Sequence, residues 1–444
     1  MSAGLTRVRL GPARLHGCDV VIRPPRCTDH ADWQRLRVRD RALIEPFWYS
    51  SESSWDERHT EKQWLREYLV ATAEVARGRR LSGVIEIDGR FAGQCELCSI
   101  DTRSGTAELS IWIDSRLARH GFGGLAAALV LDYGFHALGL ERVVAPISPA
   151  NAAAAHAAAE LGFVREALMV RYFDAGGARR DHALWAVTRG DIPEGGFAEA
   201  WIRHVLAKRA SAGPEVPGER GGHPARLGLP MTIVTVGVRL LGGAIRRRFA
   251  LLRGGCPVRI PVPGRSDTVL RSRRLSDGPA WREARLHNRH RLDGGSPGDW
   301  ERQHSRTAWW REFAGSRGGL RSPGGLVLVL EVGGAYAGEA RLFDLDMFDR
   351  NARMFVWADP ARADIGVRTA ATRALLDYAF HMLGLYRVAT EIDAADTESA
   401  AVAASAGLLE EGIMRNHAGP CGRRADHILW ASTVAEPHQG VRDA

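Results

Sequence analysis

Residues 131–143 read LDYGFHALGLERV, and residues 376–388 read LDYAFHMLGLYRV. The two stretches lie 245 positions apart, and that offset runs without a gap far to either side of them. Trp55 meets Trp300, His59 meets His304, and Trp64 meets Trp309. Gly89-Arg-Phe-Ala-Gly93 meets Gly334-Ala-Tyr-Ala-Gly338, Trp112-Ile-Asp114 meets Trp357-Ala-Asp359, and Asp181-His182 meets Asp426-His427. Nearer the start the offset drifts to 248, aligning Val21-Ile-Arg23 with Val269-Leu-Arg271. Solenoid units run only about 20–50 residues. The chain is therefore a tandem duplication of one domain of about 180 residues, a common domain size.

The 444 residues, 45% hydrophobic and 25% charged, fit two globular domains and exclude collagen-like, coiled-coil and wholly disordered chains. No apolar run reaches the roughly 18 residues that a membrane helix needs. The first residues, MSAGLTRVRLGPARLHG, lack the apolar core of a secretory signal. Six cysteines in so long a chain do not make a disulfide framework, so a reducing cytoplasm is expected. The net charge of +8 is unevenly spread: residues 1–189 carry +2, residues 190–264 carry +6, and residues 265–444 carry none. Two near-neutral domains (1–189 and 265–444) joined by a basic connector (190–264) argue against a nucleic-acid partner, whose basic residues should gather on a folded face.

Within one copy, strands and helices alternate. Strands are expected at Val20–Arg23, Leu81–Ile87, Phe91–Ile100, Ala107–Ile113, Val143–Ile147, Glu166–Phe173 and Ala183–Thr188, with Asp88-Gly89 as a hairpin turn. Helical spacing marks Asp29–Asp40, Glu61–Ala76, Leu125–Leu138 and Ala152–Leu161. Early antiparallel meanders followed by strand–helix alternation predict a mixed α/β sheet. In the connector, Trp201–Arg209 can be a helix, and residues 211–229 should be a loop. Residues 231–253 are apolar and then strongly basic. They read either as a weak membrane-surface segment or as an extra strand or helix capping the second domain.

The strand–turn–helix unit Ala107–Leu138 is the most informative segment. Its turn, Arg119-His120-Gly121-Phe122-Gly123-Gly124, follows a strand and opens a helix. Successive N–H groups at such a helix start can hold a pyrophosphate. A plain glycine-rich helix start competes with that reading. A Rossmann unit fails, since no acidic residue ends the next strand. Cys95 and Cys98 should face opposite sides of their strand, so no zinc site is expected. His136 is read as structural.

Together with Asn151 and the Leu161-Gly162-Phe163 that follows it, these features resemble the GNAT acyltransferase superfamily. The match to Ala107–Ile113, Arg119–Gly124, Arg171-Tyr172 and Arg180-Asp181-His182 is similar to its Rim-type ribosomal-protein-alanine N-acetyltransferases. The resemblance covers roughly residues 18–190. It implies a GNAT fold that takes acetyl-CoA as co-substrate and no metal. Backbone around Ile111 and Ile113 would pair with pantetheine, amides of Arg119, His120, Gly121, Gly123 and Gly124 would hold the pyrophosphate, and Asn151 would help seat the thiol arm. Two departures stand out. Arg119 replaces a glycine of the family's turn, either adding a phosphate contact or narrowing the turn. Ala154 replaces a serine proposed to protonate the leaving thiolate, which leaves Tyr172 as the nearest substitute.

Acetyl transfer to an amine needs a group that removes a proton and an N–H that steadies the oxyanion. Glu108, on the strand beside the cofactor, is the base candidate. A solvated or salt-bridged glutamate is the competing reading. The second copy carries Asp364 and Arg368 at the turn, Arg353 for Glu108 and Asp396 for Asn151, and keeps only Ser399 of the family pattern. It should have lost CoA binding. Two readings follow: an N-acetyltransferase for a protein N-terminus or a small amine, with one working site, or a non-catalytic CoA-sensing or interaction protein. A monomer with its halves paired about a pseudo-twofold is expected.

Overall fold

The computed structural model describes residues 2–209, 257–292, 300–316, 319, 325–347, 349–419 and 423–434. Among them no helix is long and apolar enough to cross a membrane. Residues 231–253 lie outside the described residues, so neither reading of that segment is addressed. The chain divides into two units. The first holds residues 2–166 and 174–209, and the second holds Ala167–Phe173 with the described residues from 257 onward.

The first unit is a mixed sheet with helices on both faces. Its strands are β1 (Leu10–Leu15), β2 (Cys18–Arg23), β3 (Leu81–Ile87), β4 (Arg90–Asp101), β5 (Thr106–Ile113), β6 (Arg142–Ile147), the two ends of β7 (Val164–Ala175, whose Ala167–Phe173 belong to the second unit) and β8 (Ala178–Thr188). The order is β1-β2-β3-β4-β5-β6-β8-β7, and β5 with β6 is parallel. The helices are α1 (His30–Arg39), α2 (Glu61–Ala76), α3 (Phe122–His136), α4 (Ala152–Glu160) and α5 (Phe197–Arg209). Strand alternation sends Ile85, Cys95 and Leu97 into one core with Leu125, Leu131 and Phe135 of α3. It sends Val84, Phe91 and Trp112 into a second core with Trp33 and Leu36 of α1 and Trp64 and Leu65 of α2.

Two elements depart from the expected layout. β1 carries no strand signal in the sequence, because Leu-Gly-Pro-Ala-Arg-Leu has no apolar alternation; it pairs with β2 through an irregular register. The segment after residue 190 is not simply a linker, because α5 folds onto α3. Asp132 of α3 accepts the backbone N–H groups of Phe197 (2.8 Å) and Ala198 (3.0 Å), which caps the start of α5.

The second unit repeats the plan with β9 (Arg259–Pro261), β10 (Thr268–Ser272), β11 (Leu326–Val332), β12 (Ala335–Asp346), β13 (Asn351–Ala358), β14 (Arg387–Asp393), β15 (Leu409–Ala418) and β16 (Arg424–Thr433). Its sheet order is β15-β16-β14-β13-β12-β11-β10-β9, again with one parallel pair, β13 with β14. Its main helices are α6 (Gly278–His287), α7 (Arg306–Ser316), α8 (Ile365–Asp377) and α9 (Thr397–Ala406). Even a buried ion triad is duplicated. Arg23 bonds Asp29 and Glu86, and Arg271 bonds Asp277 and Glu331.

Candidate active site

In the first unit the parallel pair is held at only three registers: Thr106 with Arg142, Ala107 with Val143 and Glu108 with Val144. Beyond Glu108 the two strands part. β6 continues along β8 as far as Ile147 with Ala183, while β5 continues along β4 as far as Ile113 with Gly93. The sheet is thus split, with Glu108 at the apex. The edge of β5 from Leu109 to Ile113 that faces the split has no strand partner among the described residues. Its peptide groups can therefore pair with an extended ligand. Ile111 is exposed there, and Ile113 is half-buried.

The turn lies at the mouth of this split. It is pinned from α1: Asp40 accepts both the backbone N–H (2.9 Å) and the hydroxyl (2.7 Å) of Ser115, and Arg39 bridges Asp40 and Asp114. Arg119 has φ +67°, so the residue replacing the family's glycine adopts the left-handed conformation that glycine would take without strain. Its side chain is exposed. His120 is half-buried and uses its carbonyl to bond the His16 ring (3.0 Å).

The three glycines have different tasks. Gly121 (φ +83°) is the cap of α3 and supplies no side-chain oxygen, so no side chain occupies the first N–H groups of that helix. Its carbonyl accepts from Trp201 Nε1 at 2.8 Å. A Cβ on Gly124 would fall 1.9 Å from the Trp201 ring, so this glycine admits α5 rather than a ligand. Gly123 is the one that faces the split. A Cβ there would meet only Ile113 and Ile111, at 3.6 Å and beyond.

Glu108 has no hydrogen bond or ion pair among the described residues, which removes the salt-bridge reading. Burial pushes its carboxyl up to about 7, although some solvent still reaches it. A carboxyl that titrates near neutrality can take a proton at working pH. Asn151 caps α4, accepting the N–H of Ala154 at 3.2 Å. Tyr172 falls in the stretch of β7 that belongs to the second unit, where its carbonyl accepts from Asn351 (2.6 Å) and its ring lies 5.9 Å from the Arg387 guanidinium. Cys95 is in the core, and Cys98 lies on the opposite face, where burial lifts its thiol to about 12. Among the described residues no cluster of metal-ligating side chains forms.

The second unit has the same split, pairing only Asn351 with Arg387, Ala352 with Val388 and Arg353 with Ala389, but its own side chains reach into it, leaving a cavity of about 180 Å³ at the start of α8 lined by Ala358, Asp364, Ile365 and Arg368 among others. Arg353, at the apex, bonds Glu391 and Asp344. Arg368 stands where Gly123 does. Its Nε donates to the carbonyl of Val356 (3.2 Å), the counterpart of Ile111, and its terminal nitrogen donates to Ser399 Oγ (2.6 Å). Ser399 in turn donates to Asp396 (2.5 Å), and Asp364 caps α8 by accepting the Val367 N–H (2.7 Å). One carbonyl of the strand edge, one N–H of the helix start and the apex arginine thus have partners from within.

A sheet parted at one parallel pair, with an uncapped helix start at its mouth, defines the acyl-CoA-dependent N-acyltransferase architecture. The chain belongs to the GNAT acetyltransferase family: the family's domain model, an acetyltransferase (GNAT) domain, matches residues 19–164 and again 268–409. The spermidine N(1)-acetyltransferase of Escherichia coli K12 is 34% identical over 98 residues, 22% of this chain and 53% of that protein. A putative ribosomal N-acetyltransferase of Bacillus subtilis is 31% identical over 133 residues, 30% of this chain and 64% of that protein. The chain thus spans between half and two thirds of the curated relatives it matches. Among solved structures, Mycobacterium smegmatis RimJ in complex with CoA-disulfide is 32% identical, covers 45% of this chain and 96% of its own, and has a TM-score of 0.43.

Proposed function

We propose that the first unit transfers an acetyl group from acetyl-CoA to a primary amine, and that the second unit binds no CoA. The observation that carries this reading is the contrast between two copies of one split. One is lined by an open strand edge, an uncapped helix start and an unpaired glutamate. In the other, Arg353 stands at the apex and Arg368 reaches across to the strand edge. Peptide groups from Leu109 to Ile113 would hold the pantetheine arm. The first amides of α3, at the positive end of its dipole, would hold the pyrophosphate.

As the amine lone pair attacks the thioester carbonyl, the C–N bond forms and negative charge collects on oxygen. A backbone N–H on the open strand edge can steady it. Glu108 takes the amine proton, directly or through one water. The C–S bond then breaks, and the thiolate leaves with a proton from solvent. Because Ala154 has no proton to give and Tyr172 belongs to the second unit, that last proton is not assigned to a side chain.

The names of the curated relatives point to spermidine, a polyamine with primary amines, in one case and to a ribosomal acceptor in the other. Release of free thiol from acetyl-CoA with a panel of such amines tests the reading. CoA binding without turnover of any amine would favour the non-catalytic, CoA-sensing alternative instead.

A further inference from the structure

On the face of the sheet that carries Glu108, the side chains of Ser110 and Trp112 follow along the same strand, since successive residues alternate faces. Above Trp112 lies a charged group with no salt-bridge partner among the described residues. Arg37, on α1, is 3% exposed, and its guanidinium makes no hydrogen bond or ion pair among the described residues; its Nε, like that of Arg285 in the second unit, is buried without a partner. Its guanidinium lies 3.9 Å from the centre of the Trp48 ring and 4.6 Å from that of Trp112. Burial lowers its pKa to about 10 against the pull of Glu67 and Glu96. Those two carboxylates are engaged elsewhere: Glu67 accepts from Gln63 (3.0 Å), and Glu96 from Ser82 (2.5 Å). Stacked rings stabilise a cation but do not satisfy its N–H donors.

The duplicated copy shows what this arginine ordinarily binds. Arg285 occupies the same place on α6 and donates to Glu339 at 2.5 Å. The counterpart of Glu339 in the first unit is Gln94, whose oxygen is taken by Trp112 Nε1 at 3.0 Å. One copy thus keeps the arginine with its carboxylate, and the other keeps the arginine alone. The drift of the offset from 248 to 245 between Trp33 and Trp55 also means that the first copy has three extra residues in the stretch that carries Trp48.

We propose that Arg37 is the anchor for a carboxylate on the acceptor, so that the amine acetylated by this chain carries an acidic group at a set distance. This rests on the acetyl-transfer reading of the same site. Glu108 and Trp112 are four residues apart, about 13 Å along a strand at roughly 3.3 Å per residue. With the amine at Glu108 and the carboxylate reaching Arg37 past the half-buried Trp48, the two groups of the acceptor stand on the order of 10 Å apart, about three extended residues. A free α-amino acid is too short. A peptide amino end with an acidic side chain among its first three residues fits, as does a long ω-amino acid.

The test uses matched pairs: Ala-Ala-Glu-Ala-amide against Ala-Ala-Gln-Ala-amide, and 8-aminooctanoate against 8-aminooctanamide. Affinities are read by calorimetry with CoA present, and kcat/KM with acetyl-CoA. The full chain should favour the acidic member about 10- to 100-fold, the usual worth of a charge-assisted pair, mainly in KM. A preference confined to the peptides, or to the ω-amino acid, names the source. Gln94→Glu, which copies the second unit, supplies Arg37 with an internal partner. It should bring the acid-to-amide ratio close to one while raising the melting temperature. Arg37→Gln should collapse the same ratio. Equal affinity for both members in the unaltered chain, or a preference that survives Gln94→Glu, overturns the proposal. If no amine is acetylated but the binding preference holds, the catalytic reading alone falls.

Discussion

Replacing Glu108 by Gln separates a base from a structural carboxylate. The carboxyl titrates near 7 in the folded chain against an ordinary value of 4.5. The folded state therefore keeps a proton that the unfolded chain releases between those values. Stability falls as pH climbs through that window, by up to about 3 kcal/mol at 1.36 kcal/mol per pH unit. Solvent reaches Glu108, so screening reduces this to about 1–3 kcal/mol. Glutamine has no proton to lose. Glu108→Gln should then melt with the parent below pH 4.5 and several degrees above it at pH 8, at about 2–4 °C per kcal/mol. If Glu108 also accepts the amine proton, kcat at pH 8 should fall roughly 10²–10⁴-fold, with acetyl-CoA affinity almost unchanged. The kcat/KM of the unaltered chain should rise with pH and level off above about 7, as the carboxyl deprotonates. Melting curves at two pH values beside steady-state kinetics decide it. A variant with normal kcat ends the base assignment. A variant that melts lower than the parent at pH 8 would mean that Glu108 is held by a partner after all.

The cofactor turn and its supporting helix give further tests. Gly123→Arg places at the open split the side chain that Arg368 extends to Val356, and a Cβ is accommodated there at 3.6 Å. It should lower acetyl-CoA affinity at least 100-fold by calorimetry while leaving the melting temperature within a few degrees; unchanged affinity would remove the turn from the binding site. The unaltered chain should bind one CoA per chain, and a stoichiometry of two by native mass spectrometry would refute the reading that the second unit binds no CoA. Gly124→Ala drives a methyl into the Trp201 ring and should cost about 1–3 kcal/mol by overpacking. An unshifted melting curve would contradict the docking of α5 on α3.

The fold was legible because its signals are local and occur twice. α2 and β3 run over the residues that their apolar spacing marked, and the duplication repeats the buried triad of Arg23 at Arg271. The site was legible only in part, since its chemistry depends on what each group touches. Gly121, Gly123 and Gly124 look alike in sequence. One caps a helix without a side chain, one faces the split and one admits a tryptophan, and only the packing of α5 separates them. Tyr172 is marked in the sequence only by its place in the chain, and β7 passes through both units, with Tyr172 among the residues of the second.

The second copy is the strongest guide to the first. Read as a sequence, its substitutions suggested damage to a binding site. In three dimensions they amount to satisfaction. Arg353 finds Glu391, Arg368 finds Val356 and Ser399, and Arg285 finds Glu339. A folded chain seldom buries a polar group without a partner, because an unmet donor or charge is costly. Each place where the second copy supplies a partner and the first does not is therefore a place where the first copy has room for a group from outside. Three such places fall on one face or edge of a single strand: the edge at Ile111, the apex at Glu108 and the arginine over Trp112. A thioester arm, an amine and a carboxylate would meet these vacancies in that order. That match of three unmet groups to one bisubstrate geometry is why an enzyme with an acidic acceptor accounts for more of the molecule than a CoA sensor does, since a sensor would explain the edge but leave Glu108 and Arg37 without a reason to be unpaired.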